Sequence, residues 1–185
     1  GVFNPGDMKA DFVYMDAGGR YGMLAVMKED NGNYFIAEMD WNAASYDQVP
    51  VYRYDLMHLP EVQNGDVVNW AFGTAQINMA YYATANEVKQ FSVDAGQKII
   101  PETLKMTNND PIIFEGEITM MKILKPAILT DYYMSNVEMV IGTYGGTIGS
   151  GKLYSLELDP TSGRAKSVKS YSGFDRIYDV VLKVY

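Results

Sequence analysis

The nearest approach to a catalytic motif is a glycine-rich loop. Gly146, Gly151 and Lys152 stand at the spacing of a phosphate-binding loop, in which backbone N–H groups and a lysine cradle phosphates. The following residue is Leu153, where magnesium coordination requires a Ser or Thr hydroxyl. The flanking runs also read as two strands, whereas a phosphate loop opens a helix whose N-terminus helps hold the anion. The loop is therefore expected to be a hairpin connection. Its glycines would serve positive-φ geometry and Lys152 would point to solvent.

His58 is the single imidazole, and it stands in Leu56-Met57-His58-Leu59-Pro60, which reads as a loop leaving a strand. No second histidine exists for a zinc or non-haem iron site. The absence of cysteine excludes disulfides, thiolate catalysis and Cys-ligated metals. No cofactor and no metal are expected. Glycoside hydrolysis needs only a carboxylate pair about 5–10 Å apart, and 23 acidic residues leave that chemistry open. Asp40, Asp94 and Asp159 each close a strand at equivalent places. Each is expected to accept hydrogen bonds from backbone N–H groups of the turn that follows, an architectural role. Asp30-Asn31-Gly32-Asn33 and Asn108-Asn109-Asp110 come nearest to a calcium loop. The first reads as a hairpin turn, the second as a polar loop before Pro111.

Trp41, Tyr132 and Tyr133 are the candidate ligand-binding residues, because they stand at loop edges where aromatic rings can stack on sugars. Trp70, Tyr81 and Tyr82 fall within strands. Alternation sends Tyr81 and Tyr82 to opposite faces, so at least one of them is assigned to packing. Met23, Met79 and Met139 recur at matching places and are expected to fill irregular gaps between repeats.

Composition narrows the partners. Fifteen basic against 23 acidic residues give a net charge of −8, which disfavours a general nucleic-acid binder. Hydrophobic residues make up 48% of the chain, enough for a packed core. The stretch nearest to a membrane span, residues 118–129, is interrupted by Lys122, Lys125 and Pro126, so no direct membrane span is expected. No basic-then-apolar leader is visible at the start.

The elements that must position these residues are strands. Apolar residues seldom recur at helical spacing, while short β-rich runs bounded by turn residues are frequent, with tyrosine used 15 times. A four-strand unit recurs: strands at 10–16, 22–27, 34–39 and 49–56, then 66–73, 77–83, 87–93 and 98–106, then 115–124, 137–143, 152–158 and 165–171. A further strand is read at 176–184. The predicted fold is all-β, a β-propeller or propeller fragment. It has about three four-stranded antiparallel blades at residues 10–56, 66–107 and 114–171, plus one extra strand within 175–185. The repeat of roughly 56–60 residues exceeds the about 40–50 of four-stranded blades and leaves room for loops.

The C-terminal third also carries a resemblance. Val140-Ile141-Gly142-Thr143-Tyr144, the run from Gly151-Lys152-Leu153-Tyr154 through Asp159-Pro160, Tyr171-Ser172-Gly173-Phe174 and Asp179-Val180-Val181 resemble the end of PKD-like family lipoproteins of Bacteroidetes. The similarity spans about residues 132–185. It implies a β-propeller-like C-terminal region, export to the cell surface or periplasm of a Gram-negative bacterium, a lipid anchor and a place beside glycan-uptake systems. It carries no catalytic residues.

These readings converge on a non-catalytic binding or scaffolding domain, with a glycan or another outer-membrane protein as partner. One alternative is a glycan hydrolase or lyase using an acidic pair in the propeller funnel; the other is a purely structural protein–protein interaction propeller. The missing nucleophiles and metal ligands incline the reading away from an enzyme. An unclosed arc would expose apolar faces at its ends, and Ile177, Val180, Val181 and Leu182 make the last strand too apolar for a solvated edge. The chain is therefore expected to lack N-terminal blades, to form a homodimer, or to pair its last strand with residues 10–16.

Overall fold

The computed structural model describes residues 2–3, 10–18, 22–40, 51–55, 67–73, 79–93, 100–124 and 137–181. Among them there is no helix, and 13 strands form three antiparallel sheets, none closed on itself. The first sheet holds β1 (Val2–Phe3), β2 (Ala10–Gly18), β3 (Gly22–Glu29), β4 (Tyr34–Asp40) and β5 (Val51–Asp55), in the order β1-β5-β4-β3-β2. The second holds β6 (Asn69–Phe72), β7 (Met79–Ala83), β8 (Val88–Ser92) and β9 (Glu102–Thr103) in chain order. The third holds β10 (Glu117–Leu124), β11 (Val137–Tyr144), β12 (Gly151–Leu158) and β13 (Ala165–Phe174), again in chain order.

Tight turns set the hairpins. Between β3 and β4, Gly32 N–H donates to Glu29 O at 2.8 Å and Glu29 N–H to Asn33 O at 2.8 Å, with Gly32 at φ 88°. This is a three-residue hairpin loop that needs a positive φ at its last position. Between β7 and β8, Thr84 N–H donates to Glu87 O at 2.9 Å, leaving Ala85 and Asn86 at the tip.

Burial patterns explain the order of the layers. Along β7 the four residues after Met79 are all buried, an apolar run without alternation. That is the signature of a strand covered on both faces. The second sheet accordingly lies between two cores. Toward the first sheet, Trp70, Ala80, Tyr82, Phe91 and Val93 pack with Val26 and Ile36. Toward the third, Tyr81, Val88 and Leu104 pack with Ile118, Met121, Met139, Ile141, Leu156 and Leu158. Tyr82 meets Trp70 at 5.5 Å and Phe91 at 6.1 Å between ring centroids, both tilted. Such pairs contribute about 0.5–1.5 kcal/mol each beyond area burial.

The sheets also touch through backbone. β6 lies beside both β2 and β10. Ile118 N–H donates to Ala85 O at 2.7 Å, and Tyr81 Oη donates to Gly163 O at 2.9 Å. Met106 bridges to Ala165 in parallel, with Ala165 N–H donating to Lys105 O and Thr107 N–H to Ala165 O.

Three expectations are corrected. Among the described residues of the run expected over 98–106, only Glu102–Thr103 form a strand, β9, because from Lys105 to Thr107 the chain leaves β8 to bridge Ala165 of β13 and then turns at Thr107–Asp110. Asn109 takes φ 71° there, and Lys105 pairs with Pro111. β1 adds an outer strand that the repeat did not contain, pairing Val2 with Tyr52 and Phe3 with Val51. The strand expected at the end forms no ladder over residues 175–181; residues 182–185 lie outside the described ones. That segment pairs with no part of β2 among the described residues. Its polar contacts run instead to the Thr119 and Lys122 side chains of β10 and to the Gly149 N–H of the β11–β12 hairpin.

Candidate functional site

Chemistry gathers on the face of the third sheet turned away from the second. Alternation along β12 sends Tyr154, Leu156 and Leu158 into the core and Leu153, Ser155 and Glu157 to the other side. Register extends that face across neighbouring strands. Glu138, Val140 and Gly142 of β11 stand opposite Glu157, Ser155 and Leu153. On β13, Ser167, Lys169 and Tyr171 stand opposite the same three.

One half of this face is covered by the chain's own residues 175–181. Thr119 Oγ1 donates to Ile177 O at 2.8 Å, and Lys122 Nζ donates to Val180 O at 3.1 Å and Asp179 Oδ1 at 2.9 Å. Ile177 lies on Gly142 so closely that a Cβ there would stand 3.0 Å from Ile177 Cβ. Beneath this cover Met120, Val140 and Gly142 are buried. The Lys122 ammonium, followed by the Val180 N–H, holds the Asp179 carboxyl below its ordinary range. Alongside, the Arg176 guanidinium lies 5.8 Å from the ring centroids of both Tyr144 and Tyr178.

The other half is open. It forms a groove of about 210 Å³ lined by Val137, Glu138, Ser155, Glu157, Ser167 and Lys169. Ser155 Oγ donates to Glu138 Oε1 at 2.6 Å, and Lys166 Nζ lies 3.9 Å from Glu157 Oε1. The groove thus sets carboxylate, hydroxyl and ammonium groups side by side on the sheet. Tyr171, half exposed, continues the same face beyond Lys169.

The sequence-derived candidates fall elsewhere. Trp41, Tyr132 and Tyr133 lie outside the described residues, as do His58 and Asp94. Trp70, Tyr81 and Tyr82 are core residues, with Tyr81 and Tyr82 entering different cores. Met139 is fully buried in the core between the second and third sheets, and Met79 packs against it. Burial raises the Tyr81 phenol well above the ordinary tyrosine range.

The glycine loop is the hairpin between β11 and β12, with Gly146 at φ 92° and Gly149 at φ 76°. Ser150 Oγ accepts from Gly145 N–H and Thr147 N–H, and Gly149 N–H donates to Asp175 Oδ1 at 2.9 Å. The expectation for Lys152 is corrected: it does not stand free in solvent but pairs with Glu115 at 2.6 Å, and that hydrogen bond raises its pKa. Asp159 does accept from the backbone of its turn, at 3.0 Å from Thr161 N–H and 2.8 Å from Ser162 N–H. In the loop compared with a calcium site, the side chains serve the turn. Asn108 Nδ2 donates to Asp110 Oδ2 at 2.7 Å and Arg164 donates to Asn109 Oδ1. Among the described residues no three His, Cys, Asp or Glu side chains converge on a metal position.

Sequence reasoning missed Glu138, Ser155, Glu157, Ser167, Lys169 and Tyr171. The available signal was the alternation of β12, which marks Ser155 and Glu157 as outward; their partners follow only from register. No family model, no curated protein and no solved structure matches the chain.

Proposed function

We propose that the chain is a non-catalytic binding or scaffolding domain built as part of a β-propeller. The observation that carries the binding role is the open polar groove on the third sheet, where Ser155 holds Glu138 and Lys166 lies beside Glu157. Carboxylates held in this way serve as fixed acceptors for a ligand. The propeller reading draws on the first strands of the three units, since β6 lies beside both β2 and β10. Two of the three sheets also run in chain order from that strand outward, as blades do. The resemblance of the C-terminal third supports the further proposal of an exported, lipid-anchored surface protein acting beside glycan uptake.

The test is a glycan array run on the whole chain together with a reducing-sugar assay on the glycans retained. Retention without sugar release is the expected result. Release at enzymatic rates would replace this reading with the hydrolase or lyase one. Failure to retain any glycan would leave protein–protein assembly as the role. Labelling the native protein with a palmitate analogue tests the anchor, and absence of label overturns it.

A further inference from the structure

We infer that the groove and Tyr171 together form a subsite for one neutral pyranose ring of a saccharide; this rests on the binding role above and names its ligand class. Glu138 and Glu157 are matched on or beside the groove by Lys166 and Lys169, so the site is locally neutral on a chain of net charge −8. An anion would meet the two carboxylates and a cation the two ammonium groups, each without net attraction. A neutral polyol suits this array, because its hydroxyls donate to carboxylates and accept from ammonium and serine groups.

Size and shape agree. The groove, at about 210 Å³, is below the roughly 300–1,000 Å³ of pockets that enclose drug-sized molecules, which fits a single ring resting on a sheet. Tyr171 stands on the same face, two residues along β13 from Lys169, a separation of about 7 Å. A ring seated over Ser155 and Lys169 would bring its C–H face against the Tyr171 ring, which is half exposed. The remainder of the face is closed by Ile177 and Asp179, so the saccharide enters from the β13 side. An open site of this kind binds weakly, on the order of millimolar per ring.

The experiment titrates the isotope-labelled whole chain with maltohexaose, cellohexaose, xylohexaose and laminarihexaose, and with a hexamer of galacturonic acid. At least one neutral hexasaccharide is expected to give saturable amide shifts centred on Glu138, Ser155, Glu157, Ser167, Lys169 and Tyr171. Tyr171→Ala and Lys169→Met, both changes of exposed side chains, are expected to weaken that binding at least fivefold each. Saturable binding that neither variant alters overturns the subsite and leaves the glycan-binding role standing. No saturable shift with any neutral saccharide overturns both. Tighter binding of the galacturonic acid hexamer overturns the assignment to a neutral ring.

Discussion

Two side chains in the middle sheet show how unequal buried polar groups can be. Tyr81 is fully buried, yet its hydroxyl donates to Gly163 O at 2.9 Å, tying the second sheet to the β12–β13 turn. Gln90 is also buried, and among the described residues its Oε1 is the one buried side-chain polar atom with no hydrogen-bond partner. An unmet buried acceptor costs about 1–3 kcal/mol. Gln90→Met, similar in volume, is therefore expected to raise stability by about 1 kcal/mol in urea denaturation; a loss of stability would mean that the amide is bonded. Tyr81→Phe is expected to cost about 1–2 kcal/mol, because Gly163 O loses its donor. The same phenol sets an alkaline response. Burial disfavours the phenolate, so the folded pKa lies above the ordinary value of about 10. Below that value the phenol is neutral in both states and stability is intact. Above it the unfolded chain ionises first, and stability falls with rising pH. Tyr81→Phe should make that alkaline fall shallower in pH-dependent urea midpoints.

At the scale of elements, turns and the C-terminal segment do most of the positioning. Asp159 is held below the ordinary carboxylate range chiefly by the Ser162 N–H, with the Ser162 hydroxyl and Thr161 N–H adding to it. A lowered folded pKa means that this contribution is present above about pH 3.9 and is lost as pH falls through the folded value. Asp159→Asn is expected to flatten the acid limb of the stability profile, measured as urea midpoints between about pH 2 and 5. The C-terminal segment depends on a missing side chain. Gly142 leaves the space that Ile177 fills, and residues 175–181 have no backbone ladder of their own. Gly142→Val should displace the segment while the opposite, core-facing side of the sheet stays packed. The readout is trypsin cleavage after Arg176, expected to speed up in the variant. Unchanged cleavage would mean that the segment shifts sideways and stays docked.

For the whole molecule, the middle sheet couples its neighbours, because both of its faces are core. Amides of Tyr81, Tyr82, Ile141 and Leu156 are expected to exchange most slowly with deuterium and with similar protection, since exposing any of them requires the sheets to part. Amides of Ser172 and Gly173 near the end of β13, where the sheet is exposed, should exchange faster by orders of magnitude. Independent exchange of the second and third sheets would show that the shared core contributes less than its burial implies. An unclosed arc of blades was expected to expose apolar faces at its ends; the outer face of the third sheet is not of that kind. It is instead polar over the groove and shielded elsewhere by residues 175–181, which resembles the polar outer face of a capping repeat.

By itself the sequence determined what neighbours along the chain can decide. The Asp30–Asn33 hairpin, the glycine hairpin and the opposed Tyr81 and Tyr82 all follow from two-residue alternation or from φ preferences at Gly and Asn. The tertiary structure decided what depends on partners far along the chain. The short β9, drawn off toward Ala165, is one case; the path of Ile177 over Gly142 and the meeting of Glu138 with Glu157 are others. The physical reason lies in register. A one-residue slip sends every side chain to the opposite face, and the burial of Ile118, Met139 and Leu156 against the second sheet is what selects among registers. A groove assembled from three strands therefore becomes visible only once those strands are paired.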